Sequence, residues 1–189
     1  MSRRPGLDRT TLIQTAADIA DTEGMEAVTL SSLAQRLGVR SPSLYNHIEG
    51  LPALRQALAL HGTRMLVSEL TDAVVGRAGD DAVRALCDAY ISFAVRHPGL
   101  YDCTFAAPEP HEPELEAVSQ HFLTLMLQAM QSYKLNDLDA LHAVRGLRMM
   151  AHGYVSLERQ RAYGMDFDPA ESLNRLLNSF LRSLNDPLR

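Results

Sequence analysis

A chain of 189 residues with 46% hydrophobic and 22% charged side chains has ordinary globular composition, which excludes the disordered and fibrous classes and allows one large domain or a small domain joined to a larger one. The opening MSRRPGLDRT lacks the apolar core of a signal sequence, and no stretch approaches the roughly 18 apolar residues of a membrane span, so a soluble, cytoplasmic chain with no membrane contact is expected. Net charge is -5 but unevenly spread: through Arg64 seven arginines face six carboxylates, and beyond it eleven basic residues face seventeen acidic ones, so a polyanion would be met only at the N-terminal end.

Apolar residues recur at three- and four-residue spacing and no alternating β-branched run occurs, which predicts an all-α fold. The first helix is predicted over residues 8–22, with Leu12, Ile13, Ala16, Ile19 and Ala20 as its stripe and Gly24 ending it. A second starts behind Thr29, which is placed to cap it, and its face is Leu30, Leu33, Ala34 and Leu37. Gly38 takes a positive φ and stops that helix, Val39 turns back onto the core, and Ser41-Pro42 restarts the chain as N-cap and first helical residue. A helix, a short glycine-bearing turn and a second helix form a helix-turn-helix, whose second helix enters the DNA major groove.

The third helix, predicted over residues 42–48, is too short to stand alone and is anchored by Leu44 and Ile48. At 100° per residue Ser43, Asn46 and His47 cluster away from those anchors, flanked by Tyr45, Ser41 and Arg40. Asn pairs with adenine, Ser donates or accepts, and Arg, Tyr and His hold phosphates, so the face suits base reading; the other reading is a solvated face in some other bundle.

Further along, a fourth helix is predicted over 52–75 and a loop over 76–80. A fifth helix, 81–97, carries Val83, Leu86, Cys87, Tyr90, Phe93 and Ala94 and ends at HPGLY. After an exposed connection through APEPHEPE come a sixth helix over 113–133, a seventh over 138–163 and a last over 169–184. Cys87 and Cys103 read as buried thiols or as a redox switch.

Gly153, inside the seventh helix, costs about 1 kcal/mol relative to alanine, so either the close approach of another helix or room for a ligand should compensate. Met149, His152 and Tyr154 around it, with Tyr90, Phe93, Tyr101, Phe122 and Met126, are either core or the lining of a mostly apolar pocket for a small hydrophobic or aromatic effector. Leu173, Leu176, Leu177, Phe180, Leu181 and Leu184 are too many apolar residues for one packed face, which points to a homodimer interface on the seventh and last helices, the other reading being a last helix buried wholly within its own subunit. The seven histidines are scattered, and the chain carries no HExxH, GxSxG, GxGxxG or phosphate loop, so no catalytic residue, metal or cofactor is expected.

The stretch TLSSLAQRLGVRSPSLYNHIEG resembles the DNA-binding segment of the TetR (tetracycline-repressor) family of bacterial transcriptional regulators. The resemblance implies a three-helix DNA-binding domain over residues 1–50 and a helical effector-binding and dimerisation domain over 51–189. It further implies a homodimer on a palindromic double-stranded operator, acting as a ligand-responsive repressor. It puts Thr29 and Ser31 where the family meets backbone or base, and Arg40, Ser41, Pro42, Ser43, Tyr45, Asn46 and His47 on the recognition-helix contacts. Leu51 stands where the family usually has a phosphate-binding lysine, leaving the amides of that helix start to meet a phosphate. HPGLY and AHGYVSLE also resemble a subgroup marked by a Trp-His-Gly motif, with Ala151 at the tryptophan position. Arg3 and Arg4 offer a basic arm for a phosphate or minor-groove contact. A DNA-binding protein without an effector, and a helical-bundle enzyme, are the competing readings.

Overall fold

The computed structural model describes residues 7–105 and 112–185, and every regular element among them is helical. The α-helices are α1 (Arg9–Glu23), α2 (Leu30–Leu37), α3 (Gly50–Val74), α4 (Gly79–Arg96), α5 (Pro98–Cys103), α6 (Pro113–Met130), α7 (Asp137–Arg159) and α8 (Pro169–Asn185). The chain divides into two compact units, Met1–Met65 with Arg96–Val118, and Leu66–Val95 with Ser119–Arg189, so the division runs through α3 and α6. Arg3, Arg4 and most of the APEPHEPE connection lie outside the described residues.

In the first unit, α1 starts where the Asp8 carboxylate accepts the Thr11 N–H at 2.7 Å, a cap of the kind that contributes about 1 kcal/mol. It ends at Gly24, whose φ of 88° disfavours a side chain. Thr29 and Ser32 form a reciprocal capping box at the start of α2: Thr29 Oγ1 accepts the Ser32 N–H at 3.0 Å, and Ser32 Oγ accepts the Thr29 N–H at 3.1 Å. Gly38 closes α2 in the left-handed region, φ 66° and ψ 32°, while the Val39 N–H returns to the Ala34 carbonyl at 3.0 Å.

The α-helix expected over 42–48 is instead a 3₁₀ helix, Ser41–Asn46, and Arg40 rather than Ser41 holds its cap position. The first turn closes from the Ser43 N–H to the Arg40 carbonyl at 2.9 Å, with no side-chain cap. Six residues are too few for a stable i to i+4 ladder, and short segments settle into i to i+3 bonding. Packing holds the segment: Leu44 has no exposed surface and Ile48 is buried behind it, each such side chain contributing about 2 kcal/mol.

HPGLY ends α4 at Arg96 as expected, and it also begins a further helix, α5, with His97 at the cap position and Pro98 as first residue. The capping group comes from α1. Asp21 Oδ1 accepts the N–H groups of Gly99 and Leu100, both at 2.9 Å, and Asp21 Oδ2 pairs with His97 Nδ1 at 2.8 Å.

In the second unit, α4 buries Val83, Leu86, Cys87, Tyr90, Phe93 and Ala94, α7 buries Ala143, Val144, Leu147, Ala151 and Val155, and α8 buries Leu177, Leu181 and Leu184. The sixth helix stops as an α-helix at Met130 and tightens into a 3₁₀ turn, Gln131–Tyr133, whose Tyr133 hydroxyl donates to Asp80 at 2.7 Å. The seventh ends at Arg159 rather than 163, because Arg161 turns into the left-handed region at φ 52°. Burial pushes the Cys87 thiol up to about 12 and the Cys103 thiol up to about 11, so neither supplies the thiolate a redox switch requires.

Candidate nucleic-acid interface and C-terminal groove

The three-residue repeat of the recognition segment sets its faces, since side chains three apart eclipse in a 3₁₀ helix. Ser43 and Asn46 therefore share one column and Pro42 and Tyr45 another, while Ser41 stands above the buried anchor Leu44. Tyr45 is 61% exposed, Arg40, Pro42 and Asn46 are exposed, and Ser41, Ser43 and His47 are half-buried. His47, expected on the reading face, ends the segment at its C-cap position instead. Ser31 is exposed on α2. The Thr29 hydroxyl is occupied, accepting from the Ser32 N–H and donating to Ser32 Oγ at 3.0 Å, so its observed part is to start the helix.

Two supports of this surface were not foreseen. Asp8 has its carboxyl held below the usual carboxylate range chiefly by the Thr11 N–H, with His47 adding a smaller electrostatic contribution. An exposed ion pair joins Arg36 of α2 to Glu23 of α1. The sequence shows every one of these residues, but their pairing depends on the fold.

The residues proposed from sequence to line an effector pocket are not brought together as a set. Tyr101 belongs to the first unit, where it is buried with its ring edge-on to Phe105 at 4.8 Å and 89°. Tyr90, Phe93 and Met126 are core residues of the second unit. Phe122 is half-buried with the Arg148 guanidinium 5.8 Å from its ring centre, a cation–π contact the sequence reading missed. His152 is exposed.

Met149 and Tyr154 do converge, together with Gly153, on an apolar groove of about 380 Å³ between α7 and α8. Across it stand Leu173 and Leu176. Met149 is 64% and Leu176 51% exposed. Leu177, Leu181 and Leu184, expected at a dimer interface, are instead buried in their own chain: their three- and four-residue spacing makes them one inward stripe of α8, turned away from the exposed Leu176. Phe180 is half-buried, its ring 3.3 Å from where a Cβ on Gly146 would stand. The close helix approach expected at Gly153 is thus found at Gly146, while a Cβ on Gly153 would meet nothing within 4 Å. Burial pushes the Tyr154 and Tyr163 phenols up, their rings tilted at 42° and 6.0 Å apart.

Among the described residues no group of three or more His, Cys, Asp and Glu side chains is arranged to hold a metal ion, and no helix is long and apolar enough to cross a membrane. The profile of a family described as "Tetracyclin repressor-like, C-terminal domain" matches residues 83–180. An uncharacterized HTH-type transcriptional regulator of Bacillus subtilis (strain 168), YobS, is 38% identical over 97% of this chain and 96% of its own. A solved protein of unknown function from Rhodococcus sp. RHA1 superposes with a TM-score of 0.83 at 22% identity, covering 98% of this chain and all of its own, 100%. The TetR family protein ActR of Streptomyces coelicolor, solved in complex with (S)-DNPA, superposes with a TM-score of 0.69 at 18% identity, over 95% of this chain and 98% of its own. These two structures are alike in fold.

Proposed function

The chain belongs to the TetR family of helix-turn-helix transcriptional regulators, and from that premise we propose a cytoplasmic repressor that binds a palindromic operator as a homodimer and is released by a small hydrophobic or aromatic effector. It is a regulator by family and not an enzyme. The observation that carries the DNA-reading assignment is the pair of columns, the half-buried Ser43 with the exposed Asn46 and the exposed Pro42 with Tyr45, standing on the buried Leu44. Asn46 and Ser43 read base edges. Arg40, Ser41, Tyr45 and His47, with Ser31 and the Thr29 end of α2, hold phosphates or flank the base contacts. Residues 1–50 carry this role, and residues 51–189 carry dimerisation and effector binding.

The dimer face is the apolar strip of Met149, Leu157 and Leu176 with the half-buried Leu173 beside them, and the exposure of those three in a single chain supports burial against a second copy. Tyr90, Phe93, Phe122, Met126, His152 and Tyr154 contribute to the effector site, and Tyr101 does not. The solved ActR complex with a small molecule supports effector control in a fold of this kind. Two recognition segments then sit one DNA turn apart, and effector binding moves α3 so that their spacing no longer matches successive major grooves.

Footprinting the full chain on the DNA flanking its own gene tests the reading. The expected result is a protected palindrome whose protection is lost with an apolar aromatic compound. Protection without sequence preference would overturn the operator assignment, and protection that no small molecule relieves would leave a DNA-binding protein without an effector.

A further inference from the structure

The first unit holds a second concave site that none of these roles uses, a cavity of about 280 Å³ walled by α1, α3 and the first turn of α6. Ile13, Ala57 and Leu60 give it an apolar wall. Arg64 spends its guanidinium on Glu114 at 2.8 Å. Two guanidinium groups against one carboxylate leave Arg9 as the unbalanced positive charge, and Arg9 has no partner among the described residues. His61 also lines the cavity, and its Nε2 is the one buried side-chain nitrogen or oxygen among the described residues without a hydrogen-bond partner.

We infer that this cavity binds a small amphipathic monocarboxylic acid, with its carboxylate on Arg9 and its hydrocarbon part on Ile13, Ala57 and Leu60. The planar guanidinium fork matches a carboxylate bidentately. Burial lowers the affinity of His61 for a proton, so the imidazole adds no second cation, and one negative charge balances the site. A dianion would bring its second charge against Glu114, a cation would face Arg9, and a neutral molecule would leave Arg9 unanswered. The volume lies just below the usual range for ligand pockets, which selects a small molecule.

The inference stands apart from the effector site proposed above, and calorimetric titration of the full chain with sodium hexanoate, hexanamide and hexylamine separates the two. The expected result is saturable binding of hexanoate at least tenfold tighter than of either isostere. Arg9→Gln should remove that preference, Leu60→Trp should fill the cavity and abolish binding, and Met149→Trp in the second unit should leave it unchanged. Arg9 is exposed in the first turn of α1, so its replacement spares the fold, and it decides the question if Leu60→Trp loses helical circular dichroism. Hexanoate binding no tighter than hexanamide, or undiminished in Arg9→Gln, would overturn the inference; loss in Met149→Trp with Arg9→Gln unaffected would do so too, placing the acid in the groove between α7 and α8.

Discussion

Gly99 lies so close to Ala20 that a Cβ built on it would stand 2.2 Å from the carbonyl carbon and oxygen of Ala20. Backbone, not a yielding side-chain tip, occupies that space, so any side chain at 99 must push α5 off α1. Gly62 of α3 makes a looser version of the same contact, its virtual Cβ 2.9 Å from the Leu100 carbonyl oxygen. With the Asp21 carboxylate accepting from Gly99 and Leu100, these contacts fix α5 to the helices on which the helix-turn-helix packs.

Gly99→Ala should therefore destabilise the protein by about 1 to 3 kcal/mol, the usual cost of overpacking, and Gly62→Ala by less. Thermal unfolding followed by circular dichroism measures both. A Gly99→Ala protein melting with the parent would show that α1 and α5 separate at no cost.

At the recognition segment, Asn46→Ala and Ser43→Ala should each relax sequence preference by roughly 1 to 3 kcal/mol, the value of a base contact. Because the two side chains share a 3₁₀ column, they should read neighbouring positions, and their effects should not add. Tyr45→Phe should weaken every site alike. Binding to a panel of operator variants checks this; an unchanged ranking in both alanine proteins would remove Ser43 and Asn46 from base reading.

The sequence was readable wherever a local signal decided the structure. Thr29, Gly24 and Gly38 mark helix ends because a cap or a positive φ acts within a few residues. Helix α5 was not readable, since its N-terminal N–H groups are met by a carboxylate 78 and 79 residues away. The 3₁₀ character of Ser41–Asn46 was missed because a six-residue segment satisfies either period. On α8 the apolar spacing was plain, but Leu176 and Leu177 are adjacent, and only packing tells which one turns inward.

Burial lowers the His61 imidazole below its ordinary value of 6.5, with the nearby His97 and Arg64 acting in the same direction and Asp21 opposing them. Below pH 6.5 the unfolded chain takes up a proton at this site that the folded chain refuses, so stability is present above that pH and is lost progressively as pH falls toward the folded value. His61→Gln should reduce the loss of stability between neutral pH and about pH 5. Denaturant midpoints of both proteins across that range isolate His61 from the other histidines, and parallel curves would show that its proton affinity is unaltered by folding.

The two neighbours on α8 provide the test of the dimer. Leu176 is 51% exposed beside Met149 in the α7–α8 groove, whereas Leu177 is 2% exposed in the core. A carboxylate at 176 keeps its access to water in an isolated chain and costs little there, yet it would be buried without a partner charge if a second copy covers the groove. Leu176→Glu should therefore give folded monomers with parental helix content, and operator binding should fall because one half-site contact replaces two. Leu177→Glu places the charge in the core and should unfold the second unit. Sedimentation equilibrium with circular dichroism distinguishes the outcomes: a dimeric, folded Leu176→Glu protein would move the interface to another face, and a folded, monomeric Leu177→Glu protein would reverse the roles of the two leucines.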